Sequence, residues 1–151
     1  RVKTIVTFQR IESVPVEIVD VSSEEGPDGA VARNLLDGDP STIWHTMYSI
    51  TVPKYPHWID FDCGEQRLLK GFSYMPRQDG RANGNIKAYK IEVSNDGQTW
   101  GDIVAQGEFD NSRKVKKVLF DKPCKARFVR FTALSSQDGQ DFASGAEMTF
   151  F

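Results

Sequence analysis

The chain has 151 residues, 39% of them hydrophobic and 26% charged, and its 19 basic and 21 acidic residues leave a formal net charge of −2. That length is one domain with room for a sizeable core. The balance of charge excludes broad phosphate neutralisation, so neither nucleic acid nor an anionic membrane is an expected partner. No run approaches the ~20 apolar residues of a membrane-spanning helix. The first residue is Arg1, with no charged-then-apolar leader behind it, so the chain reads as a segment excised or processed from a larger parent.

Residues 1–16 read as a first strand, carried by VKTIVTF (2–8), or as a linker from that parent, and residues 17–151 as the domain proper. Further β-like runs follow at VEIVDVSS (16–23), HWIDFDC (57–63), LLKGFSYM (68–75), IKAYKIEVS (86–94), VKKVLF (115–120), ARFVRFTAL (126–134) and AEMTFF (146–151). Tyr89, Ile91 and Val93 alternate with Lys90, Glu92 and Ser94, and Val129, Phe131 and Ala133 alternate with Arg130 and Thr132. The separators DCGEQ, RQDGRANG, SNDGQTW and SSQDGQD carry turn residues. Only GAVARNLL (29–36) looks helical, and it is short. About eight strands with regular turns make an all-β sandwich, a jelly roll. Cys63 and Cys124 form no metal motif; they pair if the fold brings them together, and two buried thiols are the simpler reading.

The turn RNLLDGDPST (33–42) presents Asp37, Asp39 and Thr42 in a loop tightened by Gly38 and Pro40. Carboxylates and carbonyls converging there suit a hard cation such as Ca²⁺ at about 2.3–2.6 Å. The competing reading is an Asp-rich turn that satisfies itself through side-chain hydrogen bonds. Two residues further on, Trp44 reads as core, which by alternation turns His45 outward near Tyr48. Pro76 fixes the backbone before Arg77, and a Gly-rich loop carrying Asn83 follows. Phe142 sits in the small-residue loop DFASGAEM (141–148), where periodicity does not explain it as core.

Taken together, LLDGDPSTIWHT, PHWIDFDCG, YMPRQDG with NGNIKAYKIEVSNDGQTW, and ARFVRFTA with ASGAEMTFF resemble, in this order, the F5/8 type C (discoidin-like) domains. More narrowly they resemble family 32 carbohydrate-binding modules, which accompany bacterial glycoside hydrolases. The resemblance implies a galactose-binding-domain-like jelly roll with a structural Ca²⁺ and a shallow sugar site at one loop end. It assigns Ca²⁺ to Asp37, Asp39 and Thr42 with a carbonyl from about Asn34, closed by Glu147 and the Ala146 carbonyl. It assigns the sugar site to His45 and Arg77, with Asn83, Tyr48 and Phe142 beside them and Glu25 or Asp28 as the acidic partner. The implied partners are a galactose-containing glycan and a parent glycoside hydrolase in cis. The implied setting is a monomeric module in an extracellular, periplasmic or cell-surface protein.

Catalysis by this domain is not expected. No pair of acids sits in a context suggesting an enclosed cleft, no nucleophile elbow occurs, and two histidines are too few for a typical catalytic zinc site. Two other readings compete with sugar binding. One is a lipid- or protein-binding discoidin domain, for which MYSITVPKYP (47–56) supplies apolar loop residues. The other is a degenerate module that serves as a spacer.

Overall fold

The computed structural model describes residues 12–151, so the strand expected over 2–8 lies outside the described residues. The strands are β1 (Glu17–Val21), β2 (Trp44–His45), β3 (His57–Met75), β4 (Ala88–Ser94), β5 (Ile103–Glu108), β6 (Lys116–Ala133), β7 (Ser144–Gly145) and β8 (Glu147–Phe150). The stretch expected to be helical forms a single 3-10 turn at Ala32–Leu36.

Two long strands organise both layers. β3 and β6 pair antiparallel, with register slips between Asp62 and Arg67 and between Leu69 and Gly71. On its other side the first half of β3 pairs β1 and the second half pairs β8. The last part of β6 carries β4, which carries β5. Each long strand therefore bends at the slips and contributes to both faces of the sandwich.

This corrects the reading of four strands at 57–63, 68–75, 115–120 and 126–134, which are two. The residues taken as turns are bulges. Gly64 adopts φ +81°, and the Asp62 carboxylate accepts its N–H at 2.8 Å, which is turn chemistry locally. Across the slip, however, Arg127 donates to the same carboxylate at 2.9 and 3.1 Å, and pairing resumes beyond it. β5 was not anticipated at all.

The alternation read from sequence is borne out where it matters for the core. Val129, Phe131 and Ala133 are fully buried, as are Ile59, Phe61, Phe72 and Phe150. Phe61 meets Phe150 at 4.8 Å and Phe72 meets Phe131 at 5.9 Å, and these aromatic contacts hold the layers together. At Gly71 a Cβ would lie 2.2 Å from the Val118 carbonyl oxygen, so only glycine allows the two long strands to approach there. Outside, Arg130 grips Asp60 at 2.7 and 2.9 Å and lies over the rings of Trp58 and Trp100. Both cysteines are free thiols, Cys63 buried and Cys124 half-buried.

At one end of the sandwich the two-residue strands β2 and β7 pair, Trp44 with Gly145 and His45 with Ser144. This short ladder joins the early loops of the domain to the last ones.

Candidate functional site

His45 is not the surface residue that alternation implied. Trp44 is fully buried as expected, yet His45 is only 2% exposed. The reason is the loop before β7, which covers the second side of β2. Thr46 N–H donates to the Ala143 carbonyl at 2.9 Å, and Ala143 N–H donates to Thr46 Oγ1 at 3.1 Å. Inside this clamp His45 Nδ1 lies 2.6 Å from the Thr46 carbonyl. A carbonyl only accepts, so Nδ1 carries the proton and Nε2 is an acceptor. The Asn83 amide donates to Nε2 at 3.2 Å. Burial lowers the His45 pKa, and the nearby Arg77 charge adds to that, so the ring is held neutral.

Arg77 leaves the end of β3 and is 5% exposed. Its Nε and Nη2 donate to the two Asp79 carboxylate oxygens at 2.9 and 2.7 Å, and Nη1 donates to the Asn83 carbonyl at 3.1 Å. Three of the five guanidinium N–H bonds are thus occupied, leaving one on each Nη. The guanidinium drives the Asp79 carboxyl down to about 2, so the pair stays charged at any ordinary pH. The loop is braced from outside by Gln78, which donates to the Arg113 carbonyl at 3.0 Å, and by Arg113, which donates to the Gly80 carbonyl at 3.2 Å. Gly84 closes the loop at φ +86°, where its carbonyl accepts Ser144 N–H at 2.8 Å and a Cβ would lie 2.9 Å from the Ala143 carbonyl carbon.

These elements enclose an open cavity of about 320 Å³. His45, Tyr48, Arg77, Asn83 and Phe142, five of the residues singled out from sequence, all line it. Phe142 is half-buried, its ring centroid 5.2 Å from that of His45, while Tyr48 meets His45 edge-on at 5.1 Å and remains 41% exposed. The Phe142 loop is pinned by Tyr55, whose hydroxyl donates to the Phe142 carbonyl, and by His57, whose Nε2 lies 2.6 Å from the Asp141 carbonyl.

The two candidate acids separate. Glu25 is fully buried and does not line the cavity. Its carboxylate accepts the N–H groups of Tyr48 and Ser49 at 2.9 and 2.7 Å and the Ser49 hydroxyl at 2.9 Å, and these bonds lower its pKa. Glu25 therefore shapes the Tyr48 loop from behind. Asp28 is exposed and accepts the Tyr48 hydroxyl. Sequence reasoning missed Ala30, Ile43 and Arg81 as lining residues. Of these only Arg81 had a signal, as the second arginine of RQDGR, four residues after the first.

The acidic turn lies on the other side of Trp44. Thr42 Oγ1 donates to the Asp37 carboxylate, whose second oxygen accepts Asp39 N–H at 2.8 Å. Asp39 accepts the Ser41 N–H and hydroxyl at 2.9 and 2.6 Å. The Asn34 carbonyl accepts Asp37 N–H at 3.4 Å, while the Asn34 amide ties Gly29 and Ile43 together at 2.8 and 2.9 Å. Glu147, next to Ala146 at the start of β8, reaches Asp37 from the far end of the chain. Burial, together with the bond to and charge of Asp37, pushes its carboxyl up to about 7. Its Oε1 is buried with no hydrogen-bond partner. Among the described residues no three His, Cys, Asp or Glu side chains converge as a ligand group by themselves, so a cation here would need the carbonyls as well.

An all-β sandwich with a shallow cavity of ring, amide and guanidinium groups at one loop end is a ligand-binding module in architecture. The chain belongs to the F5/8 type C domain family, whose pattern matches residues 18–148. It is 38% identical over 146 residues to a sialidase of Micromonospora viridifaciens, covering 95% of this chain and 22% of the relative. It is 35% identical to galactose oxidase of Gibberella zeae, covering 87% of this chain and 19% of the relative. The chain thus spans about a fifth of the length of either protein.

Among solved structures it superposes on CpGH89CBM32-5 of Clostridium perfringens, in complex with GalNAc-β-1,3-galactose. The TM-score is 0.83 at 32% identity, over 93% of this chain and 99% of that one. It also superposes on the family 32 carbohydrate-binding module of C. perfringens NanJ, in complex with galactose. There the TM-score is 0.77 at 31% identity, over 91% of this chain and 96% of that one.

Proposed function

We propose that this domain is a non-catalytic carbohydrate-binding module that takes galactose-type sugars, galactose or N-acetylgalactosamine, in the His45–Arg77–Asn83 cavity. The observation that carries this reading is the pairing of one acceptor with two donors. In the free protein the neutral His45 ring accepts the Asn83 amide at Nε2, a place that a sugar hydroxyl would take over, and the held Arg77 offers one N–H on each Nη. An axial hydroxyl such as O4 of a galacto-configured ring donates to the first and accepts from the second. The apolar C–H face of the sugar then packs on Phe142 or Tyr48. The sugar complexes of the two clostridial modules support the same choice of ligand.

So few contacts in so open a site give weak binding, with Kd on the order of 0.1–1 mM. Such a module acts by raising the local concentration of a tethered partner. In this reading the partner is a larger secreted glycoside hydrolase carrying the domain in cis as a monomeric unit, outside the cell or at its surface. Among the described residues no helix is long and apolar enough to cross a membrane.

A structural Ca²⁺ belongs to the proposal. The unpartnered Glu147 Oε1 and the meeting of two carboxylates at Asp37 and Glu147 favour a hard cation there. Asp37, Asp39, Thr42 and Glu147 would hold it with carbonyls from Asn34 and Ala146. The ion would neutralise the facing carboxylates and tie β8 to the first loops.

Isothermal titration with galactose, N-acetylgalactosamine and glucose tests the sugar reading. The first two are expected to bind in the range above, with glucose undetectable. Equal binding of glucose, or none of the three, overturns it. The discoidin-type lipid-binding alternative rests on the exposed Ile50 and Val52, 73% and 46% exposed, and predicts co-sedimentation with liposomes that galactose does not compete.

A further inference from the structure

Charge is compensated unevenly around the cavity. On one wall Tyr48 donates its hydroxyl to Asp28, and neither Asp28 nor the buried Glu25 lines the cavity itself. On the other wall Arg77 is neutralised by Asp79 in a bidentate pair. Arg81 lines the same cavity and is exposed. Its backbone N–H is used, donating to Asp79 Oδ1 at 3.2 Å, but among the described residues no ion pair engages its guanidinium. The acid that could have paired with it, Asp79, is already held on both oxygens by Arg77. Of the two arginines that line the cavity, Arg81 is therefore the one whose charge no carboxylate of the described residues balances.

We infer that Arg81 makes this cavity selective for glycans that carry an anionic substituent, a carboxylate or a sulfate, on or next to the galactose-type ring. The inference rests on the sugar-binding reading above and names its substrate class more narrowly. Recognition of the neutral ring needs only His45, Asn83, Arg77 and the aromatic faces, and leaves the Arg81 charge without a counterpart. A planar fork of N–H donors matches the paired oxygens of a carboxylate or sulfate. Because Arg81 is exposed, the interaction is modest and screened by salt.

Titrations of wild-type protein and the Arg81→Gln and Arg81→Lys variants with galactose, galactose 6-sulfate and galacturonic acid test it, each at low and high salt. The anionic sugars are expected to bind about fivefold more tightly than galactose at low salt. That ratio should fall towards one at high salt and in Arg81→Gln, and be largely retained in Arg81→Lys. A preference for the sulfate alone or the carboxylate alone supports the inference and identifies the source of the charge. Equal affinity for neutral and anionic sugars in wild type, or a preference that survives Arg81→Gln, overturns it while leaving the neutral-sugar reading intact. Absence of binding by all three sugars rejects that underlying reading, and this inference with it.

Discussion

The cavity and the acidic turn sit on either side of Trp44, and they handle charge in opposite ways. In the cavity the central polar groups already have protein partners: Arg77 holds Asp79, and Asn83 caps His45. In the turn Asp37 meets Glu147, a carboxyl against a carboxyl, and one buried oxygen has no partner. The first region is preorganised before its ligand arrives. On the Ca²⁺ reading proposed above, the second would be completed by a cation from outside the chain. A recognition site gains from rigidity in the free state, because little ordering remains to be done on binding. A structural ion site gains from the reverse, since its incompleteness is what couples the ion to the folded state.

The largest expected effect is at the cavity. His45→Ala removes the acceptor and the support for both rings, so galactose affinity should fall at least about a hundredfold, beyond detection by calorimetry. Because the ring is buried, the same variant should also lose about 1–3 kcal/mol of stability in denaturant unfolding. A variant that still binds galactose would break the comparison, since the cavity would then not depend on its preorganised centre.

Acidification approaches the same loss reversibly. The folded His45 pKa lies below the ordinary 6.5, so the neutral acceptor persists through that value and is lost only as pH falls through the lowered one. The stability effect has the same sign: the contribution of neutral His45 is fully present above pH 6.5 and disappears as pH falls through the folded value. Galactose titrations across this range, with Arg77–Asp79 unchanged because Asp79 titrates near 2, should show binding falling with acid. Binding that improves with acid would contradict a neutral acceptor.

The turn is tested by the sign of a substitution. With Ca²⁺ present, wild type should gain about 2.7 kcal/mol at a hundredfold excess over Kd, and EDTA should remove that gain in a thermal melt. Glu147→Gln should be less stable than wild type with Ca²⁺ and no less stable in EDTA, where the two carboxyls no longer oppose each other. The same ranking in both conditions would mean that the turn satisfies itself. The smallest effect is expected at Phe142→Ala, which should weaken galactose binding about three- to tenfold, the size of one aromatic face, without changing which sugar is preferred.

Much of this was legible from residues alone, and what was not has identifiable causes. Strand faces could be read from alternation because one side of each strand meets a single core. His45 broke that rule because its second face is covered by residues almost a hundred positions later, which no local pattern reports. The bulges at Asp62–Arg67 and near Cys124 use the same Gly, Asp and Pro chemistry as turns, and only the partner strand distinguishes them. β5 reads IVAQGE, short and with three consecutive exposed residues at its end, so it offers no clear period. Five of the cavity side chains were found through their motifs. Glu25 was placed in the right loop but on the wrong side of it, because the loop sequence does not say which carboxylate is drawn inward by backbone amides.

The clamp between Thr46 and Ala143 joins residues 97 positions apart. Closing so long a loop carries an entropic cost, and chains dominated by such distant pairings fold slowly. His45 and Phe142 meet beside that closure, and Asn83 joins them from the loop between. On the reading proposed above, galactose capture would need residues from all three of these segments. Recovery of galactose binding during refolding should follow the slowest major phase, behind the signal from the aromatic core.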